Sequence, residues 1–334
     1  MSRRMSIAMN WAGACGGCDV SLLDTQGKLL ELTAVADVVY WPVALDYKRS
    51  DLEALPEKSV DIGLFNGVVR TSEQAEDARR LRERCRVLVA YGACACHGGI
   101  PGLANQSDRE EIFRVAYQDT VSTDNPDQIR PQQRTPVPGG EVTLPAFHDS
   151  VRALHQVVDV DYFLPGCPPT PERILDLLGV VQAYNAGDDL PPAGSILAPE
   201  ATLCQECPRA ETRRAGRMPR LYRPHEIVAD PETCFLEQGV ICMGPFTRGG
   251  CGSACITVNM PCRGCFGPAP GVYDPGAEAL SVFGSVAGEG GEDFLSRGEM
   301  KRAVNSFRDP LGSVYRFTLP CGIVPRKVKD NGGK

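Results

Sequence analysis

Nowhere in these 334 residues is there an apolar run long enough to cross a bilayer, which takes about 20 residues as a helix. The opening residues carry Arg3 and Arg4 but neither a long apolar stretch nor a small-residue cleavage site. A twin-arginine export signal needs both, so the expectation is a cytoplasmic protein, membrane-associated only through a partner. Basic charge is in deficit, with 35 Lys and Arg against 42 Asp and Glu and a net charge of −7. That balance excludes a general nucleic-acid surface. One basic run, residues 209–220 (RAETRRAGRMPR), departs from it and reads as a solvated or subunit-facing loop. Phosphate loops are missing too. There is no GxxxxGK followed by Ser or Thr, and no GxGxxG opens a helix after a strand, so the glycines of residues 244–252 hold no nucleotide. No internal repeat is present.

What is abundant is cysteine. Fifteen cysteines in a reducing compartment point to metal binding or redox chemistry, because structural disulfides are disfavoured there. The odd count also fits poorly with a fully paired framework. Length alone allows two domains with separate cores.

The first half alternates strand-like and helix-like segments. Residues 5–12, 37–41, 61–69, 87–91 and 157–164 are rich in Val and aromatics and predict strands. Residues 20–36, 73–84 and 171–186 predict helices. Thr71 and Ser72 precede the second of these; Thr170 is a candidate N-cap for the third, with Pro171 at its first helical position. The alternation predicts a parallel sheet with helices on both faces, of the flavodoxin-like doubly wound α/β class. Residues 122–145, rich in Pro, Gln and Thr, read as an exposed insertion. Periodicity fades beyond residues 187–194, so the expected division is 1–190 and 191–334. Residues 198–267 hold eight cysteines with few helix signals; such a region builds little core, and metal clusters would staple it. After residue 267 the signal is low, apart from a helical stretch at 294–307.

Cys15 and Cys18 (CGGCD) follow the first strand, Cys94 (GACACHGG) the one at 87–91, and Cys167 (PGCPP) the one at 157–164. Doubly wound sheets place ligands beyond the carboxyl ends of their strands, so these exits bring four thiols to one spot. Neighbouring glycines allow close backbone approach. Four thiolates suit a 4Fe–4S cluster. A structural zinc also takes four thiolates but favours two compact pairs, so the cluster is the preferred reading. Cys96 is the alternative to Cys94 as a ligand; Cys94 is nearer the strand end. The remaining eight divide by sequence order into Cys204, Cys207, Cys234 and Cys242, then Cys251, Cys255, Cys262 and Cys265. Cys85, Cys96 and Cys321 are left as small core residues.

Taken together, CGGCD, GACACHGG, PGCPP, CQECP, CMGP and PCRGCFGP resemble the small subunit of nickel–iron hydrogenases, over roughly residues 5–267. Among its types the chain is most similar to the cytosolic methyl-viologen-reducing or uptake forms. The resemblance implies an electron-transfer subunit carrying three iron–sulfur clusters in line, 4Fe–4S or 3Fe–4S. It implies a proximal cluster on Cys15, Cys18, Cys94 and Cys167, a medial one on Cys251, Cys262 and Cys265, and a distal one on Cys204, Cys207, Cys234 and Cys242. The nickel–iron centre then lies in a separate large subunit, so no catalytic residue is expected in this chain. Electrons from dihydrogen would pass to a quinone, a flavoprotein or an iron–sulfur protein within a hetero-oligomer of at least two kinds of subunit. Two departures matter. Exported members of the family commonly have histidine where Cys204 stands, and all-thiolate ligation lowers a potential if nothing else changes. Cys255 also offers the medial site a fourth thiolate.

Two other readings compete. One is an iron–sulfur subunit of a nickel-free complex, since the related subunit of respiratory complex I also carries a PGCPP-type motif, though in a shorter chain. The other is a zinc-stapled scaffold. Of the remaining residues, His97 reads as packing or as a hydrogen-bond donor to a proximal sulfur. Asp19 reads as a surface or cap residue, or as a proton carrier. His225 is a substitute distal ligand, while His148 and His155 need no special role.

Overall fold

The computed structural model describes residues 4–214, 218, 220–286 and 296–327. Arg3, the start of the expected 294–307 helix, and residues 215–217 and 219 of the basic run lie outside them.

Among the described residues, ten strands occur in chain order: β1 (Met5–Trp11), β2 (Ala36–Tyr40), β3 (Val60–Asn66), β4 (Val69–Thr71), β5 (Cys85–Tyr91), β6 (Arg134–Val137), β7 (Gly140–Thr143), β8 (Phe147–Arg152), β9 (Tyr162–Leu164) and β10 (Ser195–Ile196). Six of them form a sheet in the order β10-β9-β5-β3-β1-β2, and all its pairings are parallel. Reading outward from β1, this is the flavodoxin-like order with its switch point between β1 and β3. The sheet takes in residues 195–196, past the expected division at 190.

Both faces of the sheet are covered. On one, Ile7, Met9, Ile62, Leu64 and Val89 pack under Ile174, Leu177 and Val181 of the helix Pro171–Ala186. On the other, Ala8, Phe65, Leu88 and Ala90 pack under Ala75, Ala78 and Leu81 of the helix Ser72–Arg84. Alternating direction along each strand sends neighbours to opposite cores. Thr71 caps the second helix through a reciprocal pair with Gln74. Thr170 occupies the N-cap of the first, but its hydroxyl makes no capping bond.

Three local expectations change. The helix expected over 20–36 is two helices, Gly17–Leu23 and Gly27–Val35. Gln26 between them has φ +50°, which no helix interior accepts. The strand expected over 157–164 shortens to Tyr162–Leu164 behind a turn at Leu154–Gln156. The insertion at 122–145 contains an exposed antiparallel ribbon, β6 with β7.

Beyond residue 197 the chain has short turns and few helices. Its core gathers Leu203, Phe235, Ile241, Met243, Phe246 and Phe283 with Val314, Tyr315 and Leu319 from the later helices and turns. No helix among the described residues is long and apolar enough to cross a membrane.

Candidate cluster sites

Sheet register gathers the first cysteine set. Trp11 pairs with Asn66, Asn66 with Tyr91, and Tyr91 with Leu164, so four strands end in one row. Cys15 and Cys18 follow Trp11, Cys94 follows Tyr91 and Cys167 follows Leu164. Their thiols lie within mutual electrostatic reach. Backbone clearance comes from glycine: a Cβ on Gly92, whose φ is +87°, would lie 2.3 Å from Cys18 Sγ, and one on Gly99 2.5 Å from Cys94 Sγ. Gly17 N–H donates to Cys15 Sγ at 3.4 Å. Cys18 is buried, Cys94 half-buried, and Cys15 and Cys167 are exposed, so the set opens to the surface on one side. Burial, then the charges of Cys167 and Cys15, pushes the Cys94 thiol up to about 12. Burial and then Cys94 raise Cys18. Four thiolates can share this spot only against a cationic group.

The second set forms a single wall. Cys204, Cys207, Cys234 and Cys242 line one cavity with Arg209 and Phe235. Gly244 faces it, since a Cβ there would lie 3.2 Å from Cys204 Sγ and 3.6 Å from Cys242 Sγ. Arg213 Nη1 is 3.9 Å from Cys204 Sγ. His225 is not among the lining residues; it borders a separate cleft with Arg223, Arg263 and Arg316.

In the third set, Cys265 senses Cys251 and Cys255, and Cys262 senses Cys265. Cys255 is exposed, on the short helix Ala254–Thr257. Glu206, which stands between Cys204 and Cys207, fastens the Cys251 loop. Its carboxylate accepts from the N–H groups of Gly250 (2.9 Å), Cys251 (3.2 Å) and Ser253 (3.4 Å).

The sets adjoin one another. Cys167, by its charge and its backbone, acts on the Cys265 thiol, so the first set adjoins the third. Met243 N–H donates to Cys262 O at 3.0 Å, and the Cys262 backbone acts on the Cys242 thiol, so the third set adjoins the second. Among the described residues, no group of three or more His, Cys, Asp or Glu side chains is arranged to hold a single metal ion.

Elsewhere the expectations are met unevenly. Cys85 is fully buried and a Cβ on Gly63 would lie 2.4 Å from its Sγ; Cys96 is fully buried and donates to Ala90 O. Both are core residues. Cys321 is only partly buried, with its Sγ 3.5 Å from His97 O and 3.9 Å from His155 Nε2. Asp19 is no surface residue: it is buried, accepting from Trp41 Nε1 (2.9 Å) and Asn66 Nδ2 (3.0 Å). His97 is buried against Gly267, and its Nε2 has no hydrogen-bond partner. Burial, followed by His155 and Arg248, pushes its ring down to about 3, so it is neutral. Sequence reasoning missed Glu206 and Arg209, whose only signal was their place inside and just after CQECP.

Comparisons with known proteins extend this picture. The family model described as "NADH ubiquinone oxidoreductase, 20 Kd subunit" matches residues 15–181. An iron-sulfur subunit of the F420-non-reducing hydrogenase of Archaeoglobus profundus is 37% identical over 329 residues, spanning 97% of this chain and 99% of that protein. A subunit of the F420-non-reducing hydrogenase of Methanothermobacter marburgensis is 32% identical over 333 residues, spanning 99% and 100%. A solved NiFeSe hydrogenase from Desulfomicrobium baculatum shares the fold, with a TM-score of 0.52 at 17% identity over 80% of this chain and 95% of that one.

Proposed function

We propose, from the premise that this chain belongs to the NADH ubiquinone oxidoreductase 20 Kd subunit family and, within it, with the small subunits of nickel–iron hydrogenases, that it carries electrons for a hydrogenase whose hydrogen-splitting centre lies in a separate large subunit. The observation that carries the proposal is the adjacency of three thiol sets, with Cys167 beside Cys265 and Cys262 beside Cys242. When bound there, iron–sulfur clusters supply reversible one-electron transfer.

Cys15, Cys18, Cys94 and Cys167 hold the first cluster, at the carboxyl ends of the strands, where the set opens to the surface. Cys251, Cys262 and Cys265 hold the middle one, with Cys255 as its fourth ligand, which makes that cluster 4Fe–4S. Cys204, Cys207, Cys234 and Cys242 hold the last. Protein groups prepare these places: glycines admit the sulfurs, burial keeps water from Cys18, Cys242 and Cys262, and the Gly17 N–H aims at Cys15. Electrons enter at the exposed first set and leave from the last, toward a quinone, a flavoprotein or an iron–sulfur protein. The chain works in the cytoplasm within a hetero-oligomer, and its division at about residue 190 separates one cluster from two.

Coverage favours this over a nickel-free complex. The family model stops at residue 181, whereas the hydrogenase relatives run through the second cysteine-rich region as well. The deciding experiment is metal analysis of the anaerobically purified native complex. About ten to twelve irons per chain with matching sulfide, and one nickel on a larger co-purifying chain, are expected. Iron without nickel would move the assignment to another redox complex, and zinc with little iron would end it.

A further inference from the structure

Arg209 opens the basic run whose sequence reads as a solvated loop, yet it is 4% exposed. Its guanidinium lies 4.2 Å over the Phe235 ring. Nη1 donates to Asp230 O (3.2 Å) and Thr233 O (3.4 Å), and Nη2 to Asn259 Oδ1 (2.9 Å) and Ile256 O (3.4 Å). Every one of these partners is neutral, and among the described residues no carboxylate pairs with it. Two carboxylates of neighbouring segments have other partners: Glu206 holds the Cys251 loop, and Asp230 accepts from Glu232 N–H. A guanidinium does not deprotonate, so burying it without a counter-ion is costly unless an anion arrives.

The place for that anion is adjacent. Arg209 lines the same cavity as Cys204, Cys207, Cys234 and Cys242. We propose that Arg209 is the built-in counter-charge of this four-thiolate site, a positioning residue that raises the potential of the group held there. The inference rests on the reading of the cavity as an iron–sulfur site. Replacing an imidazole ligand by the Cys204 thiolate adds negative charge, which on its own lowers a potential. A buried cation opposes that effect, because it stabilises the reduced, more negative state in a medium that screens poorly. Arg213 also favours the Cys204 thiolate, from the solvent side where salt screens its charge; Arg209 is buried. The same side chain ties together the segments bearing Cys207, Cys234 and Cys255, so charge and position reach the site through one residue.

The test compares Arg209→Met and Arg209→Lys in the anaerobically purified complex. Iron and sulfide are counted, and the last cluster is followed by EPR during a potentiometric titration. In R209M the one-electron reduction equilibrium should fall about tenfold or more, a shift of about 59 mV to lower potential. R209K keeps the charge without the fork of hydrogen bonds and should stay within about threefold of wild type. If R209M loses its iron, R209K carries the decision: full iron and a near-native potential support the counter-charge, and equal loss in both variants overturns it. Equal shifts in the two variants, or no shift in R209M at full iron, also overturn it. A wild-type complex with no iron at this cavity removes the reading of the site itself, an outcome distinct from all of these.

Discussion

The two halves of the molecule hold thiols by different means. In the first, Cys15, Cys18, Cys94 and Cys167 hang from the ends of strands already fixed by ladder hydrogen bonds and two cores. The second has almost no sheet. Its cysteines ride on turns of a few residues, such as Leu203–Gln205 and Phe235–Gln238. Side chains reaching back to the main chain hold those turns: Glu206 on the Cys251 loop, Gln238 on Asp230 O and Thr233 O, and Arg209 between three segments. One region is a scaffold fixed by its sheet and two cores; the other has a single core among short turns, and under the proposed function its clusters would staple those turns.

Stripping the irons should break this comparison most visibly. With an anaerobic chelator, amide protection beyond residue 198 should drop on the order of a hundredfold, about 2.8 kcal/mol, while β1, β3 and β5 keep theirs. Hydrogen exchange read by mass spectrometry checks this, and equal loss in the sheet would show that both halves depend on metal.

Glycine substitutions sharpen it next. Gly92→Ala combines a φ of +87° with a Cβ 2.3 Å from Cys18 Sγ, in a frame that cannot yield. It should cost about 1–3 kcal/mol and the first site's complement of about four irons. Gly244→Ala sits 3.2 Å from Cys204 Sγ without the positive φ; its looser surroundings should give way and keep their iron. Iron counts and thermal unfolding of the two variants decide.

The smallest expected effect lies where the halves meet. His97 packs on Gly267, and its ring is held down to about 3 against about 6.5 in an unfolded chain. The unfolded state therefore takes up the proton first as pH falls. The stabilisation is complete above about 6.5 and begins to shrink as pH falls just below it. Between pH 6.5 and 6 the loss stays below about 0.7 kcal/mol. Denaturant unfolding across this range should flatten in His97→Gln, and an unchanged slope would remove His97 from the account.

This contrast also explains what could be read from the sequence. Strand–helix alternation and the glycines at the strand ends carry the sheet class and the first cysteine set, because register in a parallel sheet fixes where strands stop. Strand β10 escaped, since two residues carry no period, and Gln26 broke a helix whose apolar spacing ran on without interruption. In the second region only the order of the cysteines was legible. Arg209 and Glu206 look like ordinary surface charges in a row of letters, and their roles come from carbonyls and amides that turns deliver from far along the chain. Asp19 was misplaced for a similar reason: its partners, Trp41 and Asn66, arrive from other strand ends.

Pro320 lies against Gly98 and Gly102, just past the Cys94 helix, and its carbonyl accepts from Gln156. Nearby, Lys327 N–H reaches Asn105 O, and Asn105 reaches Pro325 O. The late segment is thus a strap drawn back over the early one. On the ribosome, where the chain emerges in order, β1, β3, β5 and β9 can be complete while this strap is still unmade. During that interval the loop behind Cys94 is left uncovered, and it is residues 320–327 that cover it.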